Sequence, residues 1–364
     1  MKKVMLVFGT RPEAIKMCPL ARELCARKGL ETLVCVTGQH RFMLDRVLSA
    51  FGIMPDFDLD IMKEGQSLFD ITGGILARIK PVLESARPDA VLVHGDTSTA
   101  HAAALACFYL KIPVCHVEAG LRSYNIESPF PEEFNRRAVS LISAYDFAPT
   151  AEAKENLLRE GKAESRIYVT GNTAIDALKT TVKQGYAHAE LERAKGKKLI
   201  ILTAHRRENL GAPLHGMLRA VRRIAEEHAG VQVLYPVHMN PEVMRVAREE
   251  LGSCREVRLT EPLDVPDFHN FLARCHMVLT DSGGIQEEAA YLGKPVLVMR
   301  NTTERPEGLK AGGLMLVGTE QESIYKSAKL LLENKNVYEK MARAENPYGD
   351  GSASEKIADI LEKI

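Results

Sequence analysis

Short, uninterrupted apolar runs alternate along the chain with longer stretches in which apolar residues recur every three or four positions. The runs at residues 4–8, 32–36, 90–93, 113–117 and 167–169 read as strands, and their lack of apolar/polar alternation predicts parallel strands buried on both faces. The pattern pauses over a polar stretch, 179–198, and resumes with runs at 199–203, 231–235, 257–260, 277–280, 295–299 and 314–317. Strand alternating with amphipathic helix implies right-handed crossovers, and therefore an α/β protein of two Rossmann-like, doubly wound parallel-sheet domains. Sheets of this kind take ligands beyond the carboxyl ends of their strands, so the two are expected to face a central cleft. The expected bounds are 1–170 and 171–352, with a terminal helix, 353–364, packing back on the first domain.

Composition narrows the function. At roughly 100–200 residues per domain, 364 residues suit two independent cores. The 48 Lys and Arg equal the 48 Asp and Glu, so no net field favours nucleic acid or an acidic membrane, and neither is expected as a partner. The seven cysteines are odd in number and form no CxxC pair, which suits reduced core thiols. The first apolar run stops at Gly9-Thr10-Arg11, too short for a secretory core, and no run approaches the roughly 20 residues of a spanning helix. A cytoplasmic protein is expected.

The polar clusters fall just after the predicted strands. Gly9-Thr10-Arg11-Pro12-Glu13, His94-Gly95-Asp96-Thr97, His116-Val117-Glu118 and Ala204-His205-Arg206 each end one, and His238 and Asp281-Ser282-Gly283-Gly284 complete the set. The run Ser282-Gly283-Gly284 before a helix reads either as a pyrophosphate cradle or as a plain N-cap. Arg11 and Arg305 suit bidentate phosphate contacts or surface ion pairs. Glu288 suits the two ribose hydroxyls, or simply a carboxylate favoured by the helix dipole. Asp96, Glu118, Glu132 and Glu133 form a carboxylate set fit for acid/base work, although Pro131-Glu132-Glu133 also reads as an ordinary helix start. His205, able to carry charge near neutral pH, suits stabilisation of a departing phosphate or a structural role. No GxGxxG follows a strand, and Gly293-Lys294 precedes Pro295, which removes the dinucleotide and Walker readings. The HxE at His116 lacks a following Pro-Cys-x-x-Cys, so neither a metal nor another cofactor is expected.

With these motifs in place the chain resembles the bacterial non-hydrolysing UDP-N-acetylglucosamine 2-epimerases, whose fold is of the GT-B type. The resemblance rests on FGTRPEAIKMCPL, VTGQH, VHGDTSTAHAAAL, HVEAGLRS, SPFPEEFNRR, VTGNTAID, TAHRREN, YPVHMNP, LTDSGGIQEEA and LGKPVLVMRNTTERPE, which span residues 8 to 307. It implies an isomerase that inverts C2 of UDP-N-acetylglucosamine, giving UDP-N-acetylmannosamine through elimination of UDP to 2-acetamidoglucal and re-addition. It makes Asp96, Glu118, Glu132 and His205 the catalytic candidates. Arg11 and Lys16 would lie near the sugar phosphate, and Phe268, Ser282, Gly283, Gly284, Glu288 and Arg305 would bind UDP. It also implies a homodimer serving polysaccharide biosynthesis, and an activator site for a second UDP-N-acetylglucosamine at Gln39, Gln66, Arg206 and His238. Phe42 and Gly65 stand where long polar side chains are expected, which predicts weakened activation. The rival readings are a hydrolysing 2-epimerase that releases N-acetylmannosamine, a 2-epimerase of a diacetamido-uronic acid, a GT-B glycosyltransferase, and a non-catalytic UDP-sugar sensor.

Overall fold

The computed structural model describes every residue except His40 and Glu304, so one position in each of the motifs VTGQH and NTTERPE lies outside the described residues. The chain forms two compact units, Met1–Thr180 with Tyr348–Ile364, and Thr181–Pro347.

The first unit is built on strands β1 (Lys2–Phe8), β2 (Leu30–Val36), β3 (Phe57–Asp58), β4 (Ala90–His94), β5 (Val114–Val117), β6 (Tyr145–Ala148) and β7 (Ile167–Val169). They pair in the order β3-β2-β1-β4-β5-β6-β7, and every pairing is parallel. Met5, Leu6 and Val7 on β1 and Val91, Leu92 and Val93 on β4 are fully enclosed, as expected of central strands covered on both faces. The second unit contains β8 (Lys198–Thr203), β9 (Val231–Pro236), β10 (Val257–Thr260), β11 (Met277–Thr280), β12 (Val296–Val298) and β13 (Leu314–Leu316). Their order is β10-β9-β8-β11-β12-β13, again wholly parallel.

Each sheet is doubly wound, and in each the strand order reverses once: between β1 and β4 in the first, between β8 and β11 in the second. Loops diverge at such a reversal and leave a crevice at the strands' carboxyl ends. The segments after β1 and β4 carry Arg11 and Asp96; those after β8 and β11 carry His205 and Ser282. The topology thus gathers the candidate chemistry at one point of each sheet.

Two strands escape the apolar pattern. β3 has only two residues, and β6 carries Asp146 at its centre. Asp146 is fully buried; its Oδ1 accepts from Ser143 Oγ at 2.7 Å and its Oδ2 is ion-paired with Lys162 Nζ at 3.0 Å.

The terminal helix Ala353–Lys363 belongs to the first unit and packs against the helix Arg11–Ala26. Lys2 Nζ donates to Leu361 O at 2.9 Å and Arg27 pairs with Asp359 at 2.7 Å. Asp176, on the helix Thr173–Thr181, caps the returning segment by accepting from the backbone N–H groups of Ala353 and Ser354. No described helix is long and apolar enough to cross a membrane.

Candidate active site

In the first unit, the sequence Gly9-Thr10-Arg11-Pro12-Glu13 forms the start of the helix Arg11–Ala26. Thr10 and Glu13 make a reciprocal capping box, and a proline sits in the first turn where a missing N–H costs nothing. The Glu13 carboxylate is almost wholly enclosed and accepts from Gly9 N, Thr10 N, Thr10 Oγ1 and, across to the β4 loop, Thr97 Oγ1 at 2.7 Å. Burial raises its pKa and these hydrogen bonds oppose the rise. Glu13 therefore ties the two loops that flank the reversal point.

One turn further on, Lys16 is buried rather than solvated, and its Nζ is ion-paired with Glu118 Oε2. Glu118 follows β5 with φ 62°, a left-handed conformation that costs a residue with a Cβ of order 1 kcal/mol or more. Asn172 Nδ2 donates to the same Oε2 at 2.7 Å, and His94 Nε2 stands 3.8 Å from it. Gly95, also at positive φ, lies so close that a Cβ there would sit 3.4 Å from Glu118 Oε1. The carboxylate is thus fixed by strain, charge and hydrogen bonding together.

Asp96 is on the next residue of the β4 loop. Its carboxylate is paired with Arg136, and its carbonyl accepts from Asn135 Nδ2 at 2.9 Å. Both partners come from the helix Glu132–Ile142, which Glu132 opens in a half-buried position. Beneath the loop, His116 Nε2 donates to Gly95 O at 2.7 Å. His94 and His116 are enclosed, and burial pushes each down to about 4, so both are neutral at neutral pH. The structure thus sets two ion pairs at the strand ends, Lys16 with Glu118 and Arg136 with Asp96, both within electrostatic reach of His94, and Arg11 opens the helix that carries Lys16.

Glu133, grouped with the acid/base carboxylates from sequence, has a different task. It is fully buried and accepts from the backbone N–H groups of Ser123 and Tyr124 at 3.0 and 3.1 Å, holding the loop before its helix. Asn172, Arg136 and Asn135 were missed as site residues. Asn172 and Asn135 lie inside quoted motifs, but an amide carries no sequence mark of the carboxylate it will meet.

In the second unit, Asp281 is buried at the end of β11 and its Oδ2 accepts from His205 N, Arg206 N and Asn209 Nδ2 at 2.9, 2.9 and 3.1 Å. This fixes the loop after β8 against the one after β11. The His205 ring stacks on His238 with centroids 5.1 Å apart and planes 12° off parallel. Partial burial, with His238 and Arg206 adding to it and Asp281 opposing, lowers the His205 pKa. The ring is therefore neutral at neutral pH in the free protein, where the sequence allowed a charged one; an arriving anion would favour the proton.

Ser282 precedes the helix Gly283–Tyr291, and its side chain makes no capping bond. Ser282 thus holds the N-cap position without closing the first turn with its hydroxyl, which leaves the first-turn N–H groups suited to an anion. Arg305 is buried with its Nε on Glu287 Oε1 at 2.8 Å, and its guanidinium lies so near Gly283 that a Cβ there would stand 2.9 Å away. Glu288 is buried, with Oε2 3.7 Å from His269 Nε2. Phe268 is half-buried and packs against the β8–β11 core. The residues implied as an activator site split between the units. In the first, Gln66 Nε2 donates to Gln39 O at 3.2 Å; in the second, Arg206 and His238 both adjoin His205. Phe42 is 78% exposed, and nothing lies within 4 Å of a Cβ at Gly65. Among the described residues, His215, Glu249 and Glu250 bring metal-type donors within 4.8 Å of one another, but Glu250 already pairs with Arg219 and His215.

Residues 22–362 match the family model for UDP-N-acetylglucosamine 2-epimerase. A Bacillus subtilis UDP-N-acetylglucosamine 2-epimerase is 57% identical over 99% of this chain and 94% of its own. The crystal structure of the Neisseria meningitidis UDP-GlcNAc 2-epimerase bound to UDP-GlcNAc superposes with a TM-score of 0.94 at 47% identity, covering both chains completely. A Methanocaldococcus jannaschii UDP-GlcNAc 2-epimerase, in complex with UDP-GlcNAc and UDP, gives a TM-score of 0.85 at 33% identity, again over both full chains. Together with the capped first helix, the paired carboxylates after β4 and β5 and the glycine turn after β11, these matches decide the assignment: the chain belongs to the UDP-N-acetylglucosamine 2-epimerase family.

Proposed function

We propose that this protein interconverts UDP-N-acetylglucosamine and UDP-N-acetylmannosamine by anti elimination of UDP, through 2-acetamidoglucal, and re-addition. The C2 hydrogen of the sugar is not adjacent to a carbonyl, so direct proton abstraction is too costly; departure of UDP from C1 gives the electrons a destination. A carboxylate takes the C2 proton as the C1–O bond breaks, UDP re-adds at C1, and an acid delivers a proton to C2 from the other face. Two acid/base groups are needed, and each supplies roughly 10²–10⁴-fold.

The observation that carries this reading is the paired arrangement at the β4 and β5 ends. Asp96 and Glu118 are each matched to a cation, Arg136 and Lys16, which compensates their charge and orients them. Glu132 is the third candidate for proton transfer. The uncapped Ser282-Gly283-Gly284 turn with Arg305 suits the pyrophosphate, Glu288 the ribose, and Phe268 the uracil. Arg11 would add charge at the phosphate, and His205 would stabilise the departing UDP once protonated beside it. Gln39, Gln66, Arg206 and His238 are proposed as contacts for an activating second nucleotide sugar.

The test is product analysis by NMR on incubation with UDP-N-acetylglucosamine. The expected result is a mixture of the two UDP-sugars with UDP and the glucal as minor species. Free N-acetylmannosamine with stoichiometric UDP would indicate the hydrolysing reaction, and binding without turnover a sensor; either overturns the proposal.

A further inference from the structure

Asn172 lies between β7 and the helix Thr173–Thr181 and is almost fully buried. Its amide is pinned at both ends: Nδ2 donates to Glu118 Oε2 at 2.7 Å and Oδ1 accepts from Ala174 N at 3.0 Å. A flipped amide would turn its oxygen towards the carboxylate and lose both bonds. The backbone is pinned as well, since Asn172 N donates to Tyr348 O at 2.8 Å, where the chain returns to the first unit. There Gly171 and Gly349, both at positive φ, meet back to back; a Cβ on Gly349 would stand 3.0 Å from the Gly171 Cα. Only paired glycines allow this approach. The returning segment thus sets Asn172, and Asn172 in turn meets a carboxylate whose own backbone is strained.

We infer that Asn172 is a positioning residue for the acid/base chemistry of Glu118, itself held in place by the returning segment at Tyr348. The inference rests on the proposed role of Glu118. A carboxylate facing only Lys16 could swing with that flexible side chain; a directional amide bond to the same oxygen selects one orientation and leaves Oε1 towards Gly95 and the β4 loop. The charged and titratable groups around this carboxylate are Lys16 from the first helix, His94 from β4, and Asp96 farther along the β4 loop.

The experiment compares Asn172→Ala and Asn172→Asp with the parent and with Glu118→Gln, measuring kcat, KM and UDP affinity across pH. Asn172→Ala should lower kcat about 10- to 100-fold, the equivalent of one hydrogen bond to a charged group, while KM and UDP affinity change less than about threefold. Asn172→Asp nearly preserves shape and can still accept from Ala174 N, so it keeps the fold if the alanine variant does not. It sets a second carboxylate against Glu118, and the acidic limb of its kcat profile should move up by about one pH unit or more. Unchanged kcat in Asn172→Ala, an equal loss of UDP affinity, or an unshifted limb in Asn172→Asp overturns the inference. Full turnover in Glu118→Gln instead overturns the role of Glu118 itself, so the two failures are distinguishable.

Discussion

Replacing His116 with glutamine should flatten the pH dependence of stability in the first unit. The imidazole is fully buried, its Nε2 donates to Gly95 O, and burial pulls its pKa from 6.5 to about 4 despite Asp146 at 3.8 Å. Above pH 7 the ring is neutral whether the chain is folded or not. As the pH falls through 6.5 the unfolded chain takes up a proton that the folded one refuses, so stability is lost progressively down to about pH 4. At ~1.4 kcal/mol per unit, the full fall is on the order of 3 kcal/mol. For a domain of this size, that is roughly 6–12 °C in Tm. His94 behaves in the same sense, although two charges so close would not add fully; Glu13 and Asp176, raised by burial, act in the opposite sense and steady the fold as pH falls. Calorimetric unfolding of parent and His116→Gln between pH 7.5 and 4.5 isolates the His116 share, because the remaining groups are common to both. The variant should start less stable and lose less on acidification. Equal slopes, or an NMR titration of His116 centred near 6.5 in the folded protein, would refute the reasoning.

Further expectations concern the site directly. Gly120 has φ 89°, and a Cβ there would stand 2.2 Å from Ala153 O, so Gly120→Ala should cost about 3 kcal/mol or more and show as a large drop in Tm. Arg305→Lys keeps a charge opposite Glu287 but loses the planar fork, and should weaken UDP binding about tenfold by calorimetry. With Phe42 exposed and Gly65 bare, rate against UDP-N-acetylglucosamine should be near hyperbolic; strong sigmoidicity would show that activation survives these residues.

The fold was legible because buried parallel strands announce themselves as continuous apolar runs, whereas the strand order, and with it the reversals between β1 and β4 and between β8 and β11, is fixed by pairings that the runs do not record. β6 was not, since Asp146 interrupts its run, and only the assembled His116, Ser143 and Lys162 surroundings make a buried charge tolerable there. The candidate site was legible as motifs at strand ends, but not as a division of labour. Glu13, Glu132, Glu133 and Glu118 are the same residue type in similar contexts. Yet Glu13 and Glu133 satisfy backbone N–H groups, whereas Glu118 faces Lys16 and Asn172. Glu13 finds its N–H partners within its own turn, but the roles of Glu133 and Glu118 depend on partners from 9 to 102 positions away, which periodicity cannot supply.

The most direct test of the account is solvent exchange at C2. Incubated with UDP-N-acetylglucosamine in D₂O, the protein should place deuterium at C2 of both UDP-sugars, and Asp96→Asn, Glu118→Gln or Glu132→Gln should suppress that label while UDP still binds. Label at parental rates in all three variants, or epimerised product with its C2 hydrogen retained, would contradict it.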